Sequence, residues 1–195
     1  MSQPVLIALS GSTRSGSYNA TILSIAIEAA RAAGAVVDFI DLRDFPMPLF
    51  QQDLEDAEGL PDATKRLKDR FRMADGFLLA SPEYNSAFSP LLKNTIDWCS
   101  RAESDDEAPL SVYAGKSALL LSASPSALGG LRGLTALRAL LQNIRVTVYP
   151  EMLSVSGAHE VIGGNGVFSD PKWPSRITRL VNGYVPFAGK LAASK

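Results

Sequence analysis

Short apolar runs alternate with helical periodicities along the chain. Val5–Leu9 is continuously apolar, and after a polar stretch Ile22, Ile25, Ala26, Ala29 and Ala30 recur at helical spacing until Gly34 ends the pattern. Val36–Ile40 predicts a second strand. The segment "DFPMPLFQQDLED" is expected to be mostly irregular, because Pro46 and Pro48 interrupt any regular element. A helix over about 61–73 leads into a third strand, Gly76–Ala80, and a helix over 91–101 follows with Leu91, Leu92, Thr95, Ile96 and Trp98 on a substantial apolar face. The acidic connection "AESDDEAP" reads as a solvated loop. Beyond it come a fourth strand, "SALLLSA", a helix over 131–141, and a fifth strand in "VTVYPEMLSV" that Pro150 breaks. A closing helix over 177–191 carries Gly183 and Pro186, which are expected to bend or shorten it.

None of the five strands shows the polar alternation of a half-exposed sheet, which implies a parallel sheet covered by helices on both faces. The fold class is α/β, a three-layer doubly wound five-stranded parallel sheet. With 195 residues and no internal repeat or long linker, one domain over 1–195 is expected.

Composition narrows the chemistry. The 19 basic and 20 acidic residues are interspersed, so no field gathers nucleic acid or an anionic membrane. No apolar run approaches the roughly 20 residues of a spanning helix. The start of the chain lacks the basic segment and apolar core of a secretory signal, and a cytoplasmic location is expected. Cys99 is the only cysteine and His159 the only histidine, which excludes an internal disulfide and multi-histidine metal sites. His159 reads as a loop residue among glycines, and Cys99 as a small core residue.

Ligands of a doubly wound sheet bind beyond the carboxyl ends of its strands. Three loops lie there: Ser10 to Asn19, Ser81 to Ser89 and Ser122 to Gly130, all rich in Ser, Gly, Pro and Asn. The first, "GSTRSGSYN", is composed for an anion. Its glycines permit a tight backbone, its serines add donors, Arg14 supplies a forked cation, and a helix N-terminus follows. Gly11 and Gly16 share the spacing of the triphosphate-binding loop, but Ser17 and Tyr18 stand where its lysine and Mg-binding hydroxyl belong. The G-x-G-x-x-G dinucleotide fingerprint is also missing, which leaves a monophosphate cofactor. The "PEYN" of the second loop offers an aromatic ring and an amide to a flat heteroaromatic ring.

Together "GSTRSGSYN", "SPEYNSAFSPLLKNTIDW" and "LSASPSALGGLRG" resemble the NADPH-dependent FMN reductase family, which includes quinone, azo dye and chromate reductases. The resemblance spans about Val5 to Val155. It implies a flavodoxin-like fold with strand order 2-1-3-4-5, bound FMN, and a homodimer or homotetramer in which a partner subunit helps close the site. Carried over by position, Ser12, Arg14, Ser17 and Asn19 hold the phosphate, with Tyr18 opening the helix beside it. Pro82, Glu83, Tyr84 and Asn85 border the flavin ring, and Ser122 and Ser124 lie at its far rim. NADPH, or NADH, is implied as a transient donor that passes a hydride to the flavin in a ping-pong cycle with a small acceptor. No residue is assigned as general acid or base. Pro90, with no glycine nearby, and Ser126 depart from the family pattern at the rim, and Phe50 stands where the family commonly shows tyrosine.

Two alternatives accompany this reading. One is a flavodoxin-like FMN electron carrier without NAD(P)H oxidation of its own; the near-neutral charge and Arg14 weigh against it. The other is a flavin-free binding protein, which leaves the phosphate loop idle.

Overall fold

In the computed structural model, which describes residues 3–194, the strands β1 (Val5–Ser10), β2 (Val36–Ile40), β3 (Gly76–Ala80) and β6 (Ser117–Ala123) form a parallel sheet ordered β2-β1-β3-β6. β3 and β6 are buried along their whole length, as their unbroken apolar sequences require. The fifth position is filled by two short strands, β7 (Thr147–Val148) and β8 (Leu153–Val155), each pairing in parallel with one end of β6. Pro150 lacks the N–H that a continuous ladder needs. The guanidinium of Arg138 takes up the exposed carbonyls of Tyr149 and Pro150 at 3.1 and 2.7 Å.

Helices α1 (Tyr18–Ala32) and α7 (Lys172–Ala192) cover one face of the sheet, packing Ile22, Leu23, Ala26, Ile177, Val181 and Tyr184 onto Leu6, Ala8, Leu78 and Leu119. Helices α3 (Asp62–Arg72), α4 (Pro90–Cys99) and α5 (Leu131–Asn143) cover the other, where Leu67, Phe71, Ile96, Leu134 and Leu137 meet Ile7, Leu9, Phe77 and Leu120. A small antiparallel hairpin, β4 (Glu83–Tyr84) and β5 (Ala87–Phe88), stands at the carboxyl end of β3.

Four expectations change. The prolines halt regular structure only as far as Gln51, and Gln52–Glu58 forms a short helix, α2, with Asp53 and Glu55 favourably placed in its first turn. The closing helix α7 is not shortened by Gly183 or Pro186 but runs 21 residues, because its stripe from Ile177 to Ala188 is buried in the core. Gly183 instead makes room for Tyr149, whose hydroxyl lies 2.6 Å from where a Cβ would project. His159 sits not in a loop but in a one-turn helix, α6 (Ala158–Val161), exposed and 3.6 Å from Glu160.

The acidic connection is not simply solvated. Glu107 turns inward to the Lys68 ammonium at 2.8 Å, and Glu103 lies 3.4 Å from the same nitrogen, whose side chain is only 1% exposed. Burial works to raise the Glu107 pKa. Bonds from Lys68, Ser111, the Glu103 N–H and Arg72 outweigh it and hold the carboxyl down to about 2.

Candidate functional site

β1 delivers the chain to the first loop at Ser10. The Gly11 N–H donates to the Ala80 carbonyl at 2.8 Å, and the Ser89 hydroxyl donates to the Gly11 carbonyl at 2.6 Å. No side chain fits at Gly11, since a Cβ there would lie 2.7 Å from Ser89 Oγ. The loop then folds through its own hydroxyls. The Ser12 N–H donates to Ser10 Oγ at 3.2 Å, the Arg14 N–H to Ser12 Oγ at 3.4 Å, and the Ser17 N–H to the Arg14 carbonyl at 3.2 Å. Gly16 takes the left-handed φ of 66° that this reversal demands.

Ser17 caps α1, its Oγ accepting the Ala20 N–H at 3.4 Å, while the Thr21 N–H reaches the Ser17 carbonyl. The N–H groups of Tyr18 and Asn19, in the first turn, have no protein acceptor among the described residues. Thr13, Ser15 and Gly16 likewise carry N–H groups without a protein acceptor. Arg14 folds over this concavity, donating to the Gly16 carbonyl at 3.1 Å, with its guanidinium 5.4 Å from the centre of the Tyr18 ring. Several unpaired donors, a helix N-terminus with no acid in its first turn, and a guanidinium thus converge on one exposed spot, which fits a phosphate.

Asn19 is the exception among the expected phosphate ligands. Its side chain is buried and spent on β6, donating to the Ala123 carbonyl at 2.9 Å and accepting the Ala123 N–H at 3.0 Å. The amide therefore pins the start of α1 to the end of the neighbouring strand. Only its backbone N–H faces the concavity.

The second loop becomes the β4–β5 hairpin, turned by Asn85 and Ser86 with φ of 50° and 69°, the left-handed pair that two-residue hairpins favour. Tyr84 presents an exposed ring beside this turn, while Pro82 is half-buried at its base. Glu83 points the other way. Its carboxylate accepts the Gly133 N–H at 3.0 Å and pairs with Arg132 at 2.7 Å, so its side chain braces the hairpin against α5 and offers the site only its backbone. Burial pushes its pKa up, but the bonds from Gly133 and Arg132 prevail and hold the carboxyl below its ordinary value. Gly133 permits this approach, since a Cβ there would lie 3.0 Å from the Ala87 carbonyl oxygen.

In the third loop Ser122 is fully buried and donates to the Ser81 carbonyl at 2.8 Å, so it is not a rim residue. Gly130, at φ 92°, passes so close that a Cβ would overlap the Ser122 hydroxyl. Ser124 is half-buried, its Oγ accepting the Ser126 N–H at 3.2 Å. Two residues that hold the loops together had not been singled out from the sequence. Ser81 Oγ accepts the Ser89 N–H at 3.3 Å, and Ser89 Oγ accepts the Leu92 N–H at 3.2 Å. The Ser-Pro pair opening α4 signals a helix cap, but not the added reach to Gly11. The Phe50 N–H donates to Asn94 Oδ1 on α4 at 2.8 Å, and its ring lies edge-on to Trp98 with ring centres 5.0 Å apart.

Among the described residues no cluster of His, Cys, Asp and Glu is arranged for a metal. Cys99 is buried, and burial pushes its thiol up to about 12.

The family model for NADPH-dependent FMN reductases matches residues 4–160, which include all three loops. The chain belongs to this family. It is an oxidoreductase whose expected cofactors are FMN and NAD(P)H. The reductase is 35% identical over 169 residues to an NAD(P)H-dependent FMN reductase of Pseudomonas aeruginosa, covering 86% of this chain and 85% of that one. It is 38% identical to a probable NADPH:quinone oxidoreductase of Oryza sativa subsp. japonica, covering 96% and 92%. Its fold matches that of FerB, a flavoenzyme NAD(P)H:(acceptor) oxidoreductase of Paracoccus denitrificans, with a TM-score of 0.76, 24% identity, and coverage of 96% and 98%.

Proposed function

We propose that the reductase holds FMN with its phosphate in the loop from Ser12 to Asn19 and its ring against the hairpin from Pro82 to Asn85, and reduces quinone-class acceptors with NAD(P)H. The observation that carries this reading is the set of unpaired N–H groups around Tyr18 and Asn19 beneath the Arg14 guanidinium. The Ser12 and Ser17 hydroxyls add donors to the phosphate; Asn19 contributes its backbone N–H and fixes the helix. Tyr84 supplies a flat face, Asn85 and the backbone of Pro82 and Glu83 supply polar edges, and Ser124 borders the rim.

When bound, FMN supplies the two-electron chemistry, accepting a hydride from NAD(P)H and passing two electrons to the acceptor in alternation. The protein's part is to bind, orient and exclude water, which accounts for a site without histidine or reactive cysteine. Exposed Tyr84, Leu128 and Leu131 lie on the hairpin, the third loop and the first turn of α5, where a second copy of this chain in a homodimer or homotetramer covers them. A single domain over 1–195 in a cytoplasmic setting completes the reading. No helix of the described residues is long and apolar enough to cross a membrane.

The test uses purified protein. FMN titration followed by its visible absorption, then NADPH oxidation with and without a quinone, is expected to show flavin uptake and quinone-dependent turnover. Uptake without NADPH oxidation identifies an electron carrier instead. Failure to take up FMN overturns both.

A further inference from the structure

Asn19 works in two directions. Its backbone N–H, in the first turn of α1, faces the phosphate concavity and has no protein acceptor among the described residues. Its carboxamide, in a residue only 3% exposed, runs the other way and binds both backbone groups of Ala123 at the end of β6. The sheet explains why Ala123 needs it. β3 ends at Ala80, in register with Leu121, and the Ser81 N–H still reaches the Leu121 carbonyl at 3.0 Å. Residues of a strand in a parallel sheet bond alternately to the neighbours on its two sides, so Ala123 next turns its N–H and C=O toward the side that β3 has left. The Asn19 carboxamide, with a donor and an acceptor like a peptide unit, fills that place. Ser124 bonds to the opposite side, its N–H donating to the Val155 carbonyl at 3.1 Å and its carbonyl accepting the Ala158 N–H at 3.0 Å. The backbone entering the third loop is therefore held by β8 and α6 on one side and by Asn19 on the other.

We infer that Asn19 is a positioning residue that couples the two ends of the flavin site. A phosphate in the cradle fixes the Asn19 backbone, and the carboxamide passes that order to Ala123 and so to Ser124 at the rim. The inference rests on the reading of the chain as an FMN-binding reductase. Its physical basis is that the N–H groups of the first turn of α1 are held by nothing in the protein, so a bound anion orders the turn and whatever is tethered to it. A ring that binds next meets a rim already ordered, and its affinity rises without any new contact. A carboxamide turned toward the phosphate instead adds one bond to the anion and no such coupling.

The two halves of FMN can be supplied separately, as inorganic phosphate and riboflavin. Fluorescence titration of the wild-type protein with riboflavin, in phosphate and in chloride of matched ionic strength, is expected to show about fivefold tighter binding with phosphate, the lower end of ordinary coupling between sites. In Asn19→Ala that factor falls to about one. A role confined to stability lowers the urea midpoint of the variant and leaves the factor in place. Hydrogen exchange reads the same link without a variant at Asn19: phosphate alone slows exchange at the Ala123 and Ser124 amides of the wild type, and does so less in Arg14→Ala. This arm decides the inference where Asn19→Ala does not fold. Riboflavin binding indifferent to phosphate in the wild type, an unchanged factor in Asn19→Ala, or exchange at Ala123 and Ser124 that ignores phosphate overturns it. Failure of FMN uptake overturns the reductase reading instead, and leaves hydrogen exchange to decide the link between cradle and rim.

Discussion

The hydroxyl of Ser89 donates to the carbonyl of Gly11 at 2.6 Å, joining the phosphate loop to the helix that follows the hairpin. The same oxygen caps α4 through the Leu92 N–H. Ser89→Ala removes both bonds in a buried setting and is expected to cost about 1–3 kcal/mol. Urea unfolding measures that loss, and an accompanying fall in FMN affinity shows that the two loops are positioned together.

Two braces are pH-sensitive. Glu83 and Glu107 both have folded pKa values below their ordinary ones, Glu107 at about 2. Their contribution is therefore complete above the ordinary glutamate range and disappears as pH falls through the folded values. Urea midpoints are expected to drop steeply between about pH 4 and pH 2, and Glu107→Gln flattens that drop.

Cys99 is buried and its thiol pushed up to about 12, so it is protected twice over. Thiol reagents at pH 8 are expected to leave native protein unlabelled and active, with labelling only after denaturation. Mass spectrometry of reagent-treated native protein reads this directly.

In the proposed site Arg14 faces the FMN phosphate and not the ring. Arg14→Ala is expected to weaken FMN binding about tenfold while leaving riboflavin, which lacks the phosphate, almost unaffected. Fluorescence titration with both flavins distinguishes this from a general loss of the site.

The sheet was legible because β1, β3 and β6 are continuous apolar runs buried on both faces, and the break at Pro150 follows from a missing N–H. The tight turn between β1 and α1 was legible too, since Gly16 takes a left-handed φ there and Ser17 caps the helix that follows. What escaped the sequence was direction. Asn19, Glu83 and Ser122 occupy the expected loops, yet their side chains turn inward to Ala123, Gly133 and Ser81, contacts made across as many as 104 residues. Glu103 and Glu107 escaped for the same reason: an acidic run looks solvated until Lys68 is known to lie beneath it. Pro186 and Gly183 were overruled by the buried stripe of α7, where tertiary packing outweighs local propensity.

The most direct measurement is the visible spectrum of FMN-loaded protein on anaerobic addition of NADPH, followed by a quinone. The absorption is expected to bleach with the donor and return with the acceptor. A flavin that binds but keeps its full absorption under NADPH contradicts the account.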